Sequence, residues 1–153
     1  MTVSAGRTDA VGLELPTFTS IAERGTLRFF ARVIGQTDPV YSDLAAARDA
    51  GYTDLPIPPT FLFSLERAGL DPNRVLGELQ IDTRQILHGE QEFVYHRVAV
   101  AGEELSFAPQ ITDDYQKRDG ALRFLVRETS VTSRGAAVAH LRNVIVIRQT
   151  ELR

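Results

Sequence analysis

The sequence contains no cysteine and no tryptophan, and it has one methionine and three histidines among 153 residues. The absence of cysteine excludes disulfides, thiolate zinc sites and cysteine nucleophiles. The histidines (His88, His96 and His140) lie far apart, which disfavours a purely histidine metal site. No apolar run approaches the length of about 18 residues that a membrane-spanning helix needs. The first ten residues also lack the charged and apolar regions of a secretory signal.

The charge balance is slightly acidic, with 17 Lys and Arg against 20 Asp and Glu. This balance argues against a nucleic-acid-binding protein, which usually carries a basic face. Hydrophobic residues make up 43% and charged residues 24%, as is typical of globular domains. We therefore predict one cytoplasmic domain over residues 1–153, with residues 1–15 as a lead-in arm.

The first half of the chain predicts helices. Apolar residues recur at the spacing of an amphipathic helix, namely at Leu27, Phe30, Ala31 and Ile34. Ser20 and Glu23 have the spacing of a capping box at its start, and Gly35 is expected to end it. A short second helix is predicted over residues 43–50.

Three prolines between positions 55 and 60 exclude a helix or a central strand there. The next segment, residues 61–69, is almost wholly apolar and predicts a helix that is buried on most of its faces. Free backbone N–H groups at the start of this helix would bind a carbonyl oxygen that gains negative charge. Since Pro59 has no N–H, the donor would be Thr60 or Phe61.

The second half of the chain has extended character. Strands are predicted over residues 91–100, 105–115, 122–132 and 137–149. Turns at 101–104, 117–120 and 133–135 join them into an antiparallel meander. Helices followed by such a meander predict an α+β fold in which the sheet wraps around the apolar helix.

The polar residues offer isolated candidates for catalysis and no recognisable catalytic motif. Asp38 precedes a proline and is either a turn residue or a catalytic acid or base, and Tyr41 is either a catalytic group or an aromatic that closes the loop. His88 lies beside Glu90 and Glu92 and is either a proton shuttle or a polar turn residue. These residues alone do not name a reaction.

Two separated segments carry a resemblance to a known family. Residues 30–41, 50–52 and 58–61 form the first segment, and residues 87–97 with 101–103 form the second. Both resemble the MaoC-like hydratase/dehydratase family, which has the hot-dog fold. They are most similar to its N-terminal-half branch, found in two-part 3-hydroxyacyl-thioester dehydratases and in mycobacterial heterodimeric dehydratases of fatty-acid elongation.

The resemblance implies reversible addition of water to a trans-2-enoyl thioester of coenzyme A or acyl carrier protein, with no other cofactor and no metal. In active family members an Asp and a His on the loop after the first helix perform the proton transfers, and these positions fall on Gln36 and Tyr41 here. Gln is not a base, and Tyr, whose ordinary pKa is about 10, is a poor base at neutral pH. The family's substrate-binding positions fall on Pro59, Thr60, Phe61 and Gly89.

Three functions remain open at this point. The first is a subunit that shapes the acyl pocket while a catalytic MaoC-like partner supplies the Asp and His. The second is a self-sufficient homodimeric hydratase that uses Asp38, Tyr41 or His88. The third is a non-enzymatic module that binds acyl thioesters. Because the last predicted strand is apolar on both faces, we expect at least a dimer.

Overall fold

The computed structural model describes residues 9–13, 15–71 and 76–149. Residues 1–8 and 14 of the predicted lead-in arm lie outside this set. Within it, five strands form one antiparallel sheet in the order β1-β3-β4-β5-β2. The strands are β1 (Phe18–Ile21), β2 (Ile86–Tyr95), β3 (Glu104–Lys117), β4 (Leu122–Ser133) and β5 (Ala136–Arg148). Three helices are described over their full length, α1 (Arg24–Val33), α2 (Leu44–Asp49) and α3 (Phe61–Gly69), and residues 76–78 are also helical. Short 3-10 turns cover Pro39–Tyr41 and Thr83–Gln85.

Helices α2 and α3 confirm the sequence predictions, whereas the start of α1 does not. The side chain of Asp43 accepts hydrogen bonds from the first backbone N–H groups of α2 and so begins that helix. Ser20, the predicted cap of α1, instead lies in β1 and pairs with Leu105 of β3. The capping-box prediction is wrong because pairing with β3 keeps residues 18–21 extended, and α1 begins after Glu23 without a side-chain cap.

The order of the strands corrects a second prediction. Strands β3, β4 and β5 do form a meander, but β2 pairs with β5 and not with β3. The expected turn at 101–104 does form, and the Glu103 N–H donates to the Val100 carbonyl at 3.2 Å. It does not pair β2 with β3, because the residues between these strands bind the proline segment. Pro56 forms a bridge with Val100, and the Ala101 N–H donates to the Leu55 carbonyl at 2.8 Å.

Helix α3 packs against one face of the sheet. Its residues Phe61, Leu62 and Leu65 are buried in a cluster with side chains of β3, β4 and β5. Phe30 of α1 meets Phe61 edge-on, with ring centroids 4.9 Å apart. A second apolar cluster lies elsewhere on the sheet and consists of Ala10, Leu13, Leu79, Ile111, Leu125 and Ile147.

A buried ion pair also joins α3 to the sheet. Glu66 of α3 is 1% exposed, and its carboxylate accepts hydrogen bonds from Arg127 of β4 at 2.8 and 3.2 Å. The Thr129 hydroxyl, also on β4, donates to the same carboxylate. All three groups are therefore satisfied inside the protein, which fixes the position of α3 over β4.

Candidate functional site

A cavity of about 300 Å³ lies between α3 and the sheet, and we call it the helix–sheet pocket. Its walls are mainly apolar and comprise Leu15, Phe63, Leu70, Leu76, Ile86, Leu87, Ile111, Leu125 and Ile145. Four polar side chains also line it, those of Arg67, His88, Arg127 and Asn143. An apolar cavity of this size with a few polar groups has the character of a small-molecule site.

A β-bulge in β2 determines which side chains face this pocket. The register between β2 and β5 shifts between His88 and Glu90, so that Gly89 is the extra residue. A Cβ atom at Gly89 would lie 2.8 Å from the Val146 Cγ2 atom and 3.0 Å from the Val144 carbonyl oxygen. Glycine is therefore needed for the close approach of the two strands at the bulge.

The bulge brings His88 next to Asn143. The Asn143 Nδ2 atom lies 3.0 Å from the His88 Nε2 atom, 3.0 Å from Gln91 Oε1 and 3.3 Å from the Glu90 carbonyl oxygen, so its two hydrogens are shared among three acceptors. An amide nitrogen only donates, so His88 Nε2 is the acceptor in this contact and the N–H of the ring lies at Nδ1. The ring also stacks on Phe63, with centroids 5.3 Å apart. His88 is thus oriented from two sides and keeps one N–H donor.

A second cavity, of about 240 Å³, lies beside the start of α3, and we call it the loop pocket. It is lined by Tyr41, Tyr52, Pro56, Ile57, Pro59, Leu62, Tyr95, Val98, Ala99 and Val138. Burial raises the pKa of Tyr41, and the nearby Tyr52 and Asp38 raise it further. Tyr41 is therefore a neutral phenol at pH 7 and does not serve as a base there.

The loop before Tyr41 uses its polar side chains to hold its own backbone. Gln36 Oε1 accepts a hydrogen bond from the Asp38 N–H at 2.9 Å. The Asp38 carboxylate accepts from the Val40 N–H at 3.0 Å and caps the 3-10 turn. Both side chains therefore stabilise the turn that carries Tyr41.

The predicted site residues fall at separate places. Tyr41 and Pro59 line the loop pocket, His88 lines the helix–sheet pocket, and Asp38 lies on the exposed turn, so the three candidate catalytic groups do not share one cavity. Of the two proposed backbone donors, the Phe61 N–H is already bonded to the Pro58 carbonyl at 2.9 Å. Thr60 remains the candidate donor.

Among the residues of the helix–sheet pocket, only His88 was predicted as a site residue, and those missed include Phe63, Arg67 and Asn143. Phe63 and Arg67 lie one helical turn apart on α3 and so share a face, a spacing that is visible in the sequence. Asn143 interrupts the apolar pattern of β5, and a lone buried amide of this kind indicates a polar partner.

The raised pKa of Tyr95 predicts how the stability of the protein depends on pH. Partial burial of its ring raises the pKa of Tyr95 to about 12. Since folding favours the neutral phenol, the stabilising contribution of Tyr95 is present below about pH 10 and is lost as the pH rises toward about 12. Phenolate absorbance should show a late step that is absent in Tyr95→Phe and in the urea-unfolded chain. Titration of all four tyrosines together near pH 10 in the folded chain would contradict it.

Comparison with known proteins places the chain in a family. Residues 9–141 match the family described as "FAS1-like, dehydratase domain region". The chain therefore belongs to this dehydratase family, and its MaoC-like hot-dog fold, predicted from the sequence, is confirmed. A UPF0336 protein of Saccharopolyspora erythraea is 34% identical over 127 residues, which cover 83% of this chain and 81% of that protein.

Solved structures agree with this assignment. The HadBC complex of Mycobacterium tuberculosis, described as a 3R-hydroxyacyl-ACP dehydratase, contains a chain that is 25% identical with a TM-score of 0.74. The alignment covers 91% of this chain and 98% of that chain. A MaoC-like dehydratase is 26% identical with a TM-score of 0.77, over 91% of this chain and 42% of the other. No helix in residues 9–13, 15–71 and 76–149 is long and apolar enough to cross a membrane.

Proposed function

We propose that this chain is one subunit of an enoyl-thioester hydratase, and that a partner chain supplies the catalytic Asp and His. The same enzyme would catalyse the reverse reaction, the dehydration of a 3-hydroxyacyl thioester. The observation that carries the proposal is the loop at residues 36–41. Gln36 stands at the family's Asp position and is bonded to the backbone of its own turn, while Tyr41 stands at the His position and is held neutral. This loop keeps its shape but offers no base at either family position.

The helix–sheet pocket supports a role in holding the acyl chain. Its apolar walls would remove methylene groups from water, at about 0.8 kcal/mol for each group. The substrate would be a thioester of coenzyme A or acyl carrier protein, and no further cofactor or metal is required.

Exposed apolar residues support a partner chain. β2 is an edge strand of the sheet and exposes Val94 and Tyr95, while α1 exposes Phe29 and Val33 at 63% and 65%. Such surfaces favour association. HadBC and ChsH1-ChsH2 are each a complex. The similarity to ChsH1-ChsH2, at 20% identity, shows the fold alone. We infer a heterodimer with a catalytic MaoC-like chain.

Purification of the tagged chain from its own cells tests this assembly. We expect a 1:1 complex with a MaoC-like chain that carries the Asp and His, seen by native mass spectrometry. Val94→Asp on β2 should abolish recovery of the partner, whereas Val11→Asp, at a similarly exposed valine, should not. A homodimer that hydrates enoyl thioesters without a partner would contradict the proposal.

The orientation of His88 favours a second candidate, a self-sufficient hydratase. Asn143 fixes its ring in the wall of an apolar pocket, as expected for a proton-transfer group. In that case His88→Ala or Asp38→Asn would abolish turnover by the chain alone while the protein stays folded. Unchanged turnover in both variants would exclude this candidate.

A further inference from the structure

The charges around the helix–sheet pocket do not balance. Arg127 is neutralised by Glu66, but Arg67 is exposed and makes no ion pair or hydrogen bond with any other described residue. No acidic side chain from residues 9–13, 15–71 or 76–149 lines the cavity. Among the described residues that line the pocket, Arg67 is therefore an unpaired positive charge, although the chain as a whole has a net charge of -3.

A second donor lies at the same cavity. Because Asn143 occupies the Nε2 side of His88, the ring retains an N–H at Nδ1. His88 and Arg67 are both exposed, whereas Leu125, Ile111 and Asn143 are buried. The cavity thus has donors at its rim and mainly apolar walls inside, which complements a ligand with an oxyanion head and an alkyl tail.

We propose that the helix–sheet pocket binds unesterified medium-chain fatty acids, with the carboxylate held by Arg67 and His88 and the alkyl tail inside. A carboxylate puts its charge at the first carbon of the chain, where the rim lies. A thioester carbonyl is uncharged at this position, and the phosphate of its carrier lies far along the pantetheine arm. Arg67 therefore distinguishes the free acid from the thioester.

This inference rests on the proposed function in one respect, because the free acid would compete with the acyl thioester for the same pocket. The acid would then act as an inhibitor of the subunit that holds the acyl chain. Binding of the acid itself depends only on the pocket.

Titration calorimetry of the purified chain tests the inference with decanoate, decanol and decanoyl-N-acetylcysteamine. Arg67→Gln should weaken decanoate binding about fivefold, as expected for one exposed ion pair, and should change binding of the thioester less than about twofold. Decanoate binding should also weaken with added salt. Arg32→Gln, at an exposed arginine of α1, is the matched control and should leave all three affinities unchanged.

The inference would be overturned by no binding of decanoate, by equal loss of decanoate affinity in Arg67→Gln and Arg32→Gln, or by equal loss of acid and thioester affinity in Arg67→Gln. Decanol binding as tight as decanoate would show that the tail alone drives binding, which also contradicts it. If decanoate binds as expected but the chain with its partner shows no hydratase activity, the inference stands and the proposed function fails. Hydratase activity without decanoate binding would support the proposed function and overturn the inference.

Discussion

Replacement of Glu66 by Gln should lower the free energy of unfolding by about 3–5 kcal/mol. The substitution keeps the shape of the side chain but removes the charge that balances Arg127, whose side chain is 10% exposed. Arg127 would then remain buried without a counter-ion, and the Thr129 hydroxyl would lose a charged acceptor. Urea unfolding followed by circular dichroism measures the change.

Two further variants separate loss of the ion pair from loss of a carboxylate. Glu92→Gln, at an exposed position of β2, should change the stability by less than about 0.5 kcal/mol. The double variant Glu66→Met/Arg127→Met should recover most of the loss, because it removes both charges together. A Glu66→Gln variant within about 1 kcal/mol of the parent chain would show that the buried pair does not hold α3 on the sheet.

A larger side chain in the helix–sheet pocket should weaken the binding of long acyl thioesters much more than the binding of short ones. Ile145→Trp places a larger side chain in the wall of the cavity. If about four methylene groups of a decanoyl thioester lose their site, the loss at ~0.8 kcal/mol each is ~3 kcal/mol, or about 100-fold in affinity. A crotonyl thioester, whose short chain does not reach this wall, should bind within about threefold of its affinity for the parent chain.

Ile21→Trp is the matched control, because Ile21 is an exposed isoleucine on β1. It should leave the affinity for both thioesters unchanged. Both variants are compared by titration of the folded chain, with folding checked by circular dichroism. If Ile145→Trp binds the decanoyl thioester as tightly as the parent chain does, the acyl chain lies outside the helix–sheet pocket.

The helices could be predicted from the sequence because their signals are local. The bounds of α3 follow from the prolines before it and from its continuous apolar faces, and α2 follows from Asp43 and the alanines after it. Strand pairing is not local. The residues of β1 resemble the start of a helix, because nothing in residues 18–21 shows that they pair with residues 104–107.

The residues of the candidate site show the same division between local and non-local signals. His88 could be named as a candidate from the sequence, but its partner Asn143 lies 55 positions away. The bulge at Gly89 that brings the two together depends on the packing of β2 against Val144 and Val146, which no pattern within β2 reveals. Gln36 and Tyr41, in contrast, are assigned to the family's Asp and His positions by resemblance alone, and this assignment stays a prediction.

The most direct test of the proposed function is the hydration of crotonyl-CoA, followed as loss of enoyl-thioester absorbance. The purified chain alone should give a flat trace, and turnover should appear when the catalytic MaoC-like partner is added. A mixture that stays inactive while the chain still binds acyl thioesters would favour a binding module without chemistry. Turnover by the chain alone would contradict the proposed function, since neither Gln36 nor Tyr41 is a base and another residue of the chain would have to act as one.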